Sequence, residues 1–98
     1  MAQFDVHANA TGHLLVDCQA DVLDHLSTRF VVPLIDPDIG LRVVARLNPM
    51  FEVQDRQRIF FCQYATTIPL AELGKPIASL SHEHDRIMAA LDMLISGF

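Results

Sequence analysis

Only one segment of this chain, Leu80 to Phe98, carries the 3.6-residue apolar period of a helix; everything before it is cut into short runs by turn residues. That division restricts the fold to a small sheet carrying a single helix at its C-terminal end. From Ser81, an N-cap residue type, Ile87, Leu91, Leu94, Ile95 and Phe98 fall at i, i+4, i+7, i+8 and i+11 on one stripe. Glu83 and Asp85 sit in the first turn, where the helix dipole favours anions.

The far end of this helix is poorly matched to its own field. Asp92 and the free carboxylate of Phe98 stand near the negative pole, with no Lys or Arg in the last turn. Gly97 supplies a left-handed cap, with too little chain after it for a Schellman motif. Ile87 and Leu91 read as ordinary core residues. An apolar tip is unfavourable in water unless another surface covers it, so the tail reads as a docking element.

The remainder reads as about five short strands. Phe4 to His7 and His13 to Gln19 alternate, the second with Leu14, Val16 and Cys18 on one face and Leu15, Asp17 and Gln19 on the other. Asn9-Ala10-Thr11-Gly12 between them predicts a hairpin. Phe30 to Leu34 is a β-branched run whose Pro33 removes a ladder donor, which places it at an edge, a bulge or a strand end. Pro37, Asp38 and Gly40 mark a loop. Met50 to Val53 and Arg58 to Gln63 are two strands around a four-residue loop, Gln54 to Gln57. Thr67 to Leu70 is a short extended piece, and Gly74-Lys75-Pro76 a turn before the helix. The class is α+β, mostly β: a twisted antiparallel sheet or partly closed barrel with the helix packed on it.

Ninety-eight residues, 51% of them hydrophobic, suit one domain spanning residues 1–98. No apolar run reaches a membrane-spanning length, and Met1-Ala2-Gln3-Phe4-Asp5 lacks the start of a secretory signal, so a soluble, cytoplasmic protein without membrane contact is expected. Twelve acidic against seven basic residues leave a net charge of −5, the wrong sign for direct nucleic-acid binding. Cys18 and Cys62 lie in apolar runs and read as free buried thiols.

No catalytic pattern stands out, and no cofactor is called for. His82 and His84, two apart on a helix, point to different faces and read as solvated residues rather than a metal pair. Asp17, Asp21 and Asp24 could hold a hard cation, but a solvated loop is the more ordinary account. Val22 and Leu23, apolar between aspartates, either form a helical turn that closes the core, the favoured reading, or protrude as a contact.

The order of motifs says more than any one of them. Gln3-Phe4-x-Val6, Val16 to Asp21, Val31-Val32-Pro33-Leu34, Thr67-Ile68-Pro69, and Leu80-Ser81-His82 running through Ile87, Ala90 and Leu91 to Gly97-Phe98 together resemble the CcdB family of toxins, from Gln3 to the C-terminus. The resemblance implies an SH3-like barrel, a homodimer, and the toxin half of a plasmid-maintenance module. Such a toxin does no covalent chemistry: it binds the DNA gyrase A subunit, traps the gyrase–cleaved DNA complex, and blocks replication and transcription. By position, the gyrase-binding set it implies is Val22, Leu23, Asp92, Ile95, Ser96, Gly97 and Phe98. The end of this chain, Ser-Gly-Phe, departs from the Trp-Gly-Ile of the best-known plasmid-borne version. The resemblance also implies a CcdA-type antitoxin that represses its own operator and touches His7 to Leu14 and the loop from Asp36 to Asn48.

Two other functions fit the same pattern. One is a ribonuclease, since MazF and Kid toxins share the barrel; it would need a basic groove around Arg29, Arg42 and Arg46. The other is a homologue that binds antitoxin without poisoning gyrase. Met93, off the core stripe, is the candidate for a dimer contact.

Overall fold

A computed structural model describes residues 2–37 and 42–97; the expected loop at Asp38 and Gly40, and Phe98 with its carboxylate, lie outside the described residues. The described chain forms seven strands: β1 (Asp5–Ala8), β2 (Leu14–Asp17), β3 (Thr28–Ile35), β4 (Met50–Val53), β5 (Arg56–Phe60), β6 (Thr66–Pro69) and β7 (Pro76–Ser79). One α-helix, α1 (His84–Ser96), follows them. Strands are joined in the order β4-β5-β3-β2-β1-β7, with β6 also on β3, and every pairing is antiparallel. The result is a curled half-barrel compatible with an SH3-like fold.

The expected first hairpin forms. The Asn9 side-chain oxygen accepts the backbone N–H groups of Thr11 and His13, and Gly12 takes the positive φ of +85° that the turn requires. The second hairpin is tighter than expected: β4 and β5 enclose only Gln54 and Asp55, at φ +54° and +63°. Two successive positive φ values are the mark of a type I′ turn, whose twist matches the strands it joins.

Two strands exceed the expected five because the segments from 66 to 69 and from 76 to 79 are drawn into the sheet by remote partners. β6 lies on β3 from Thr28 to Val31, and β7 lies on β1, with Ala78 opposite Val6. Pro76 opens β7, where its missing donor is tolerated.

Pro33 corrects another expectation, since it sits inside a strand flanked on both sides. On one edge of β3 it faces Leu15 of β2; on the other, β6 pairs up to Val31 and β5 begins at Leu34. The Pro33 carbonyl accepts Phe61 N–H at 3.0 Å on this second edge. N–H and C=O of one strand residue point to the same edge, so the absent donor falls where β3 changes partner and no ladder bond is lost.

Alternation along β2 puts Val16 opposite Val6 and Val32, on the face that carries Leu14, Leu34, Phe51 and Phe60. Ile87, Ala90 and Leu91 of α1 seal this core, as the helical period predicts for Ile87 and Leu91. Helix onset is later than predicted. The Leu80 N–H bonds to the Phe4 carbonyl, residues 81–83 make a 3-10 turn, and α1 begins at His84 with no side-chain cap. Ser81 is therefore not its N-cap; its hydroxyl lies 3.1 Å from that of Ser79.

The other sheet face is also buried, and among Leu15 and Val31 it carries polar side chains. His7, opposite Leu15, and Asp17, opposite Val31, share it with Arg29. His7 Nδ1 lies 2.8 Å from the Gly74 carbonyl, and Arg29 donates to the Asp24 carbonyl at 2.8 Å. Burial outweighs the Gln19 N–H bond and the Arg29 charge at Asp17, holding its carboxyl above the usual carboxylate range. Cys18 and Cys62 are free and buried, as expected, and burial pushes the Cys62 thiol up to about 11 and Cys18 higher still.

Candidate functional site

Of the apolar stripe on α1, the inner half is sealed and the outer half is not. Ile87 is 0% exposed and Leu91 7%, but Leu94 is 41% and Ile95 81% exposed. Asp92, Ser96 and Gly97 are exposed beside them. The helix ends on Gly97 at φ +83°, whose N–H bonds to the Met93 carbonyl at 2.9 Å, and Ser96 Oγ donates to the Asp92 carbonyl at 2.7 Å. The left-handed cap thus forms as expected, and no basic side chain stands in the last turn.

Residues 21–23 do form a short 3-10 turn, but it does not close the core: Val22 is 80% and Leu23 42% exposed. Its position is held from below. Asp21 Oδ1 accepts Gln3 N–H at 2.8 Å, Gln19 Nε2 donates to the Leu23 carbonyl at 2.9 Å, and Arg29 holds the next carbonyl, that of Asp24. A pair tethered by three side chains and exposed at its apex is a built projection rather than a loose loop. Among the described residues, no hydrogen bond or ion pair joins Val22 and Leu23 to the helix tip.

The three aspartates considered as a cation site do not act together. Asp17 is buried at 1% exposure on the polar sheet face, Asp21 is committed to Gln3, and Asp24 is exposed. Arg29, at 3% exposure, is inside the molecule and cannot line a basic groove with Arg42 and Arg46. His82 and His84 are both exposed, with the His84 ring edge-on to Phe4 at 5.6 Å between centroids. Of the two segments that the resemblance assigns to antitoxin contact, the first has His7 and Leu14 buried and the hairpin between them available, and in the second residues 42–46 are exposed.

The sequence reading missed a second feature, a cavity of about 190 Å³ lined by Ala45, Arg46, Pro49, Arg86 and Ala89. Its residues come from two stretches some forty positions apart, and no periodicity signals such a meeting.

A curled antiparallel half-barrel closed by one C-terminal helix, with an apolar tip and no assembled reactive centre among the described residues, defines a small SH3-like barrel protein. The chain belongs to the CcdB protein family, whose model matches residues 3–97. That membership supports a toxin of a toxin–antitoxin system, with an antitoxin as partner. In fold it is similar to the Mycobacterium tuberculosis toxin MazF-mt6, at 18% identity and a TM-score of 0.75, over 93% of this chain and 95% of that one. It is also similar to a structure described as an Mtb toxin, at 19% identity and a TM-score of 0.72, over 88% of this chain and 94% of that one. No helix among the described residues is long and apolar enough to cross a membrane.

Proposed function

We propose that this chain is a gyrase-poisoning toxin that binds the DNA gyrase A subunit through Val22, Leu23, Asp92, Ile95, Ser96, Gly97 and Phe98 and traps the gyrase–cleaved DNA complex. It acts in the cytoplasm as a homodimer, performs no covalent chemistry, and is neutralised by a CcdA-type antitoxin. One observation carries this reading: among the described residues, the two most exposed large aliphatic side chains, Ile95 at 81% and Val22 at 80%, both belong to the set that the family resemblance assigns to gyrase. Covering two such side chains removes apolar surface from water at about 25 cal/mol per Å².

A pull-down with purified gyrase A subunit tests it. The wild-type chain is expected to be retained, and Ile95→Asp, Val22→Asp and a truncation lacking residues 96–98 to be lost while remaining folded. Retention of all three variants would reject the proposed contact set. No retention of the wild type, with antitoxin binding intact, would instead favour the homologue that does not poison gyrase.

A ribonuclease is the second reading, favoured by the likeness to MazF-mt6. Against it stand the net charge of −5 and the burial of Arg29. Incubation with labelled RNA separates the two, since a poison that works by contact leaves the RNA whole.

A further inference from the structure

Two successive carbonyls beneath the exposed apolar pair, those of Leu23 and Asp24, are each held by a side chain that leads back to one buried carboxylate. Gln19 Nε2 donates to the Leu23 carbonyl at 2.9 Å, and the Gln19 backbone N–H donates to Asp17 Oδ1 at 3.0 Å. Arg29 Nη2 donates to the Asp24 carbonyl at 2.8 Å, and its Nη1 stands 3.9 Å from Asp17 Oδ2. The Gln19 amide fits only one way round, because its Oε1 accepts the Phe30 N–H at 3.1 Å while its Nε2 meets a carbonyl. Both supports therefore run from β2 and β3 to the turn that carries Val22 and Leu23.

Such an arrangement is a poor source of stability. The desolvation of two buried charges offsets their attraction, and Asp17 Oδ2 and Arg29 Nε also lack hydrogen-bond partners within the described chain. What the charged pair supplies is direction, since a guanidinium anchored beside a carboxylate presents a fixed donor to the Asp24 carbonyl. Val22 and Leu23, 80% and 42% exposed, are oriented by the backbone beneath them. A contact that is ordered before it meets its partner loses less conformational entropy on binding. We propose that Asp17, Arg29 and Gln19 are positioning residues for the Val22 and Leu23 contact, holding these two side chains in one orientation for the partner that covers them. That this partner is gyrase rests on the function proposed above; the coupling of the exposed turn to the buried pair does not.

Amide hydrogen exchange on the whole chain, followed by NMR, measures the coupling with no partner present. Gln19→Glu replaces the donor by an oxygen and keeps the acceptor for the Phe30 N–H, so only the Leu23 support is cut. Asp17→Asn combined with Arg29→Met removes both charges and strands neither. In both variants the amides of Leu23, Asp24 and Leu26, which close the turn on the Ala20, Asp21 and Leu23 carbonyls, are expected to exchange at least tenfold faster, with Val16 and Val32 unchanged. Affinity for purified gyrase A subunit should fall at least tenfold in Gln19→Glu while its urea midpoint stays near that of the wild type, a split that a purely structural role would not produce. Native exchange at the turn in both variants would overturn the proposal, as would acceleration spread equally to Val16 and Val32, or a loosened turn with unaltered gyrase affinity. Should the double variant fail to fold, Gln19→Glu decides alone. Failure of the wild type to bind gyrase would reject the gyrase reading, and the exchange rates would still decide whether the buried pair sets the turn.

Discussion

Arg29 Nη1 and Asp17 Oδ2 stand 3.9 Å apart inside the molecule, their side chains 4% and 1% exposed. At that separation the pair is an electrostatic contact more than a hydrogen bond, and Asp17 Oδ2, Arg29 Nε and the nearby His7 Nε2 have no hydrogen-bond partner within the described chain. Removing one charge strands the other in a medium that solvates it poorly. Arg29→Met is therefore expected to destabilise the fold by about 3–5 kcal/mol, read as a shift in the urea midpoint. Because Arg29 also holds the Asp24 carbonyl, the same variant should increase proteolytic nicking between residues 20 and 27. An unchanged midpoint would show that the pair contributes little.

Asp17 also sets a pH dependence. Its carboxyl is held above the ordinary value by burial, so the folded state binds more protons than the unfolded state between the unfolded and folded pKa values. Stability from this group is then fully present below the unfolded pKa and is lost as pH rises through the folded one, at about 1.4 kcal/mol for each tenfold difference in proton affinity between the two states. The stability of wild type relative to Asp17→Asn should rise as pH is lowered from neutral towards 4, measured by urea unfolding at several pH values. A difference that stays flat, or falls on acidification, would contradict this.

The helix stripe should divide by function at Leu91. Ile87 is 0% exposed and packs in the core, so Ile87→Ala is expected to cost about 2–5 kcal/mol. Ile95 is 81% exposed, and Ile95→Ala should change stability by no more than about 0.5 kcal/mol. Thermal unfolding of both variants checks the contrast, and a large loss at Ile95 would mean that its side chain is packed within the protein.

Gly74 is fixed by proximity rather than by its own φ. A Cβ there would meet the Ala8 carbonyl oxygen at 2.7 Å, the same oxygen that accepts the Gly74 N–H. Gly74→Ala must push the segment off β1 and disturb the Gly74 carbonyl beside His7 Nδ1. A loss of about 1–3 kcal/mol and faster amide exchange at His7 and Ala8 are expected; native exchange rates there would refute the close approach.

At the tight hairpin, Asp55 has φ +63° without being glycine. Asp55→Gly relieves that strain and is expected to raise stability by about 0.5–1 kcal/mol, less the entropy glycine gains in the unfolded chain. Denaturant unfolding would show the gain, and a clear loss would mean that the Asp55 side chain supports the turn.

Local pattern was enough for the elements whose partners are close in sequence. The hairpin at Asn9 to Gly12, the alternation of β2, the span of β4 and the apolar stripe through Ile87 and Leu91 all follow from residue order, because turn chemistry and side-chain period are local properties. The apolar pair Val22–Leu23 and the final turn of the helix were legible as oddities. Which of their side chains are exposed was not.

The motif order by itself placed the chain in its family, and the single helical period at its end fixed a mostly β fold with one C-terminal helix. Only tertiary structure could make strands of residues 66–69 and 76–79, turn Asp17, Arg29 and His7 inward, and bring Ala45, Arg46 and Pro49 to line one cavity with Arg86 and Ala89. The physical reason is the same in each case. Burial and pairing depend on partners distant along the chain, and an arginine or aspartate in a strand carries no local mark of whether the face it points to will meet water or another part of the same sheet.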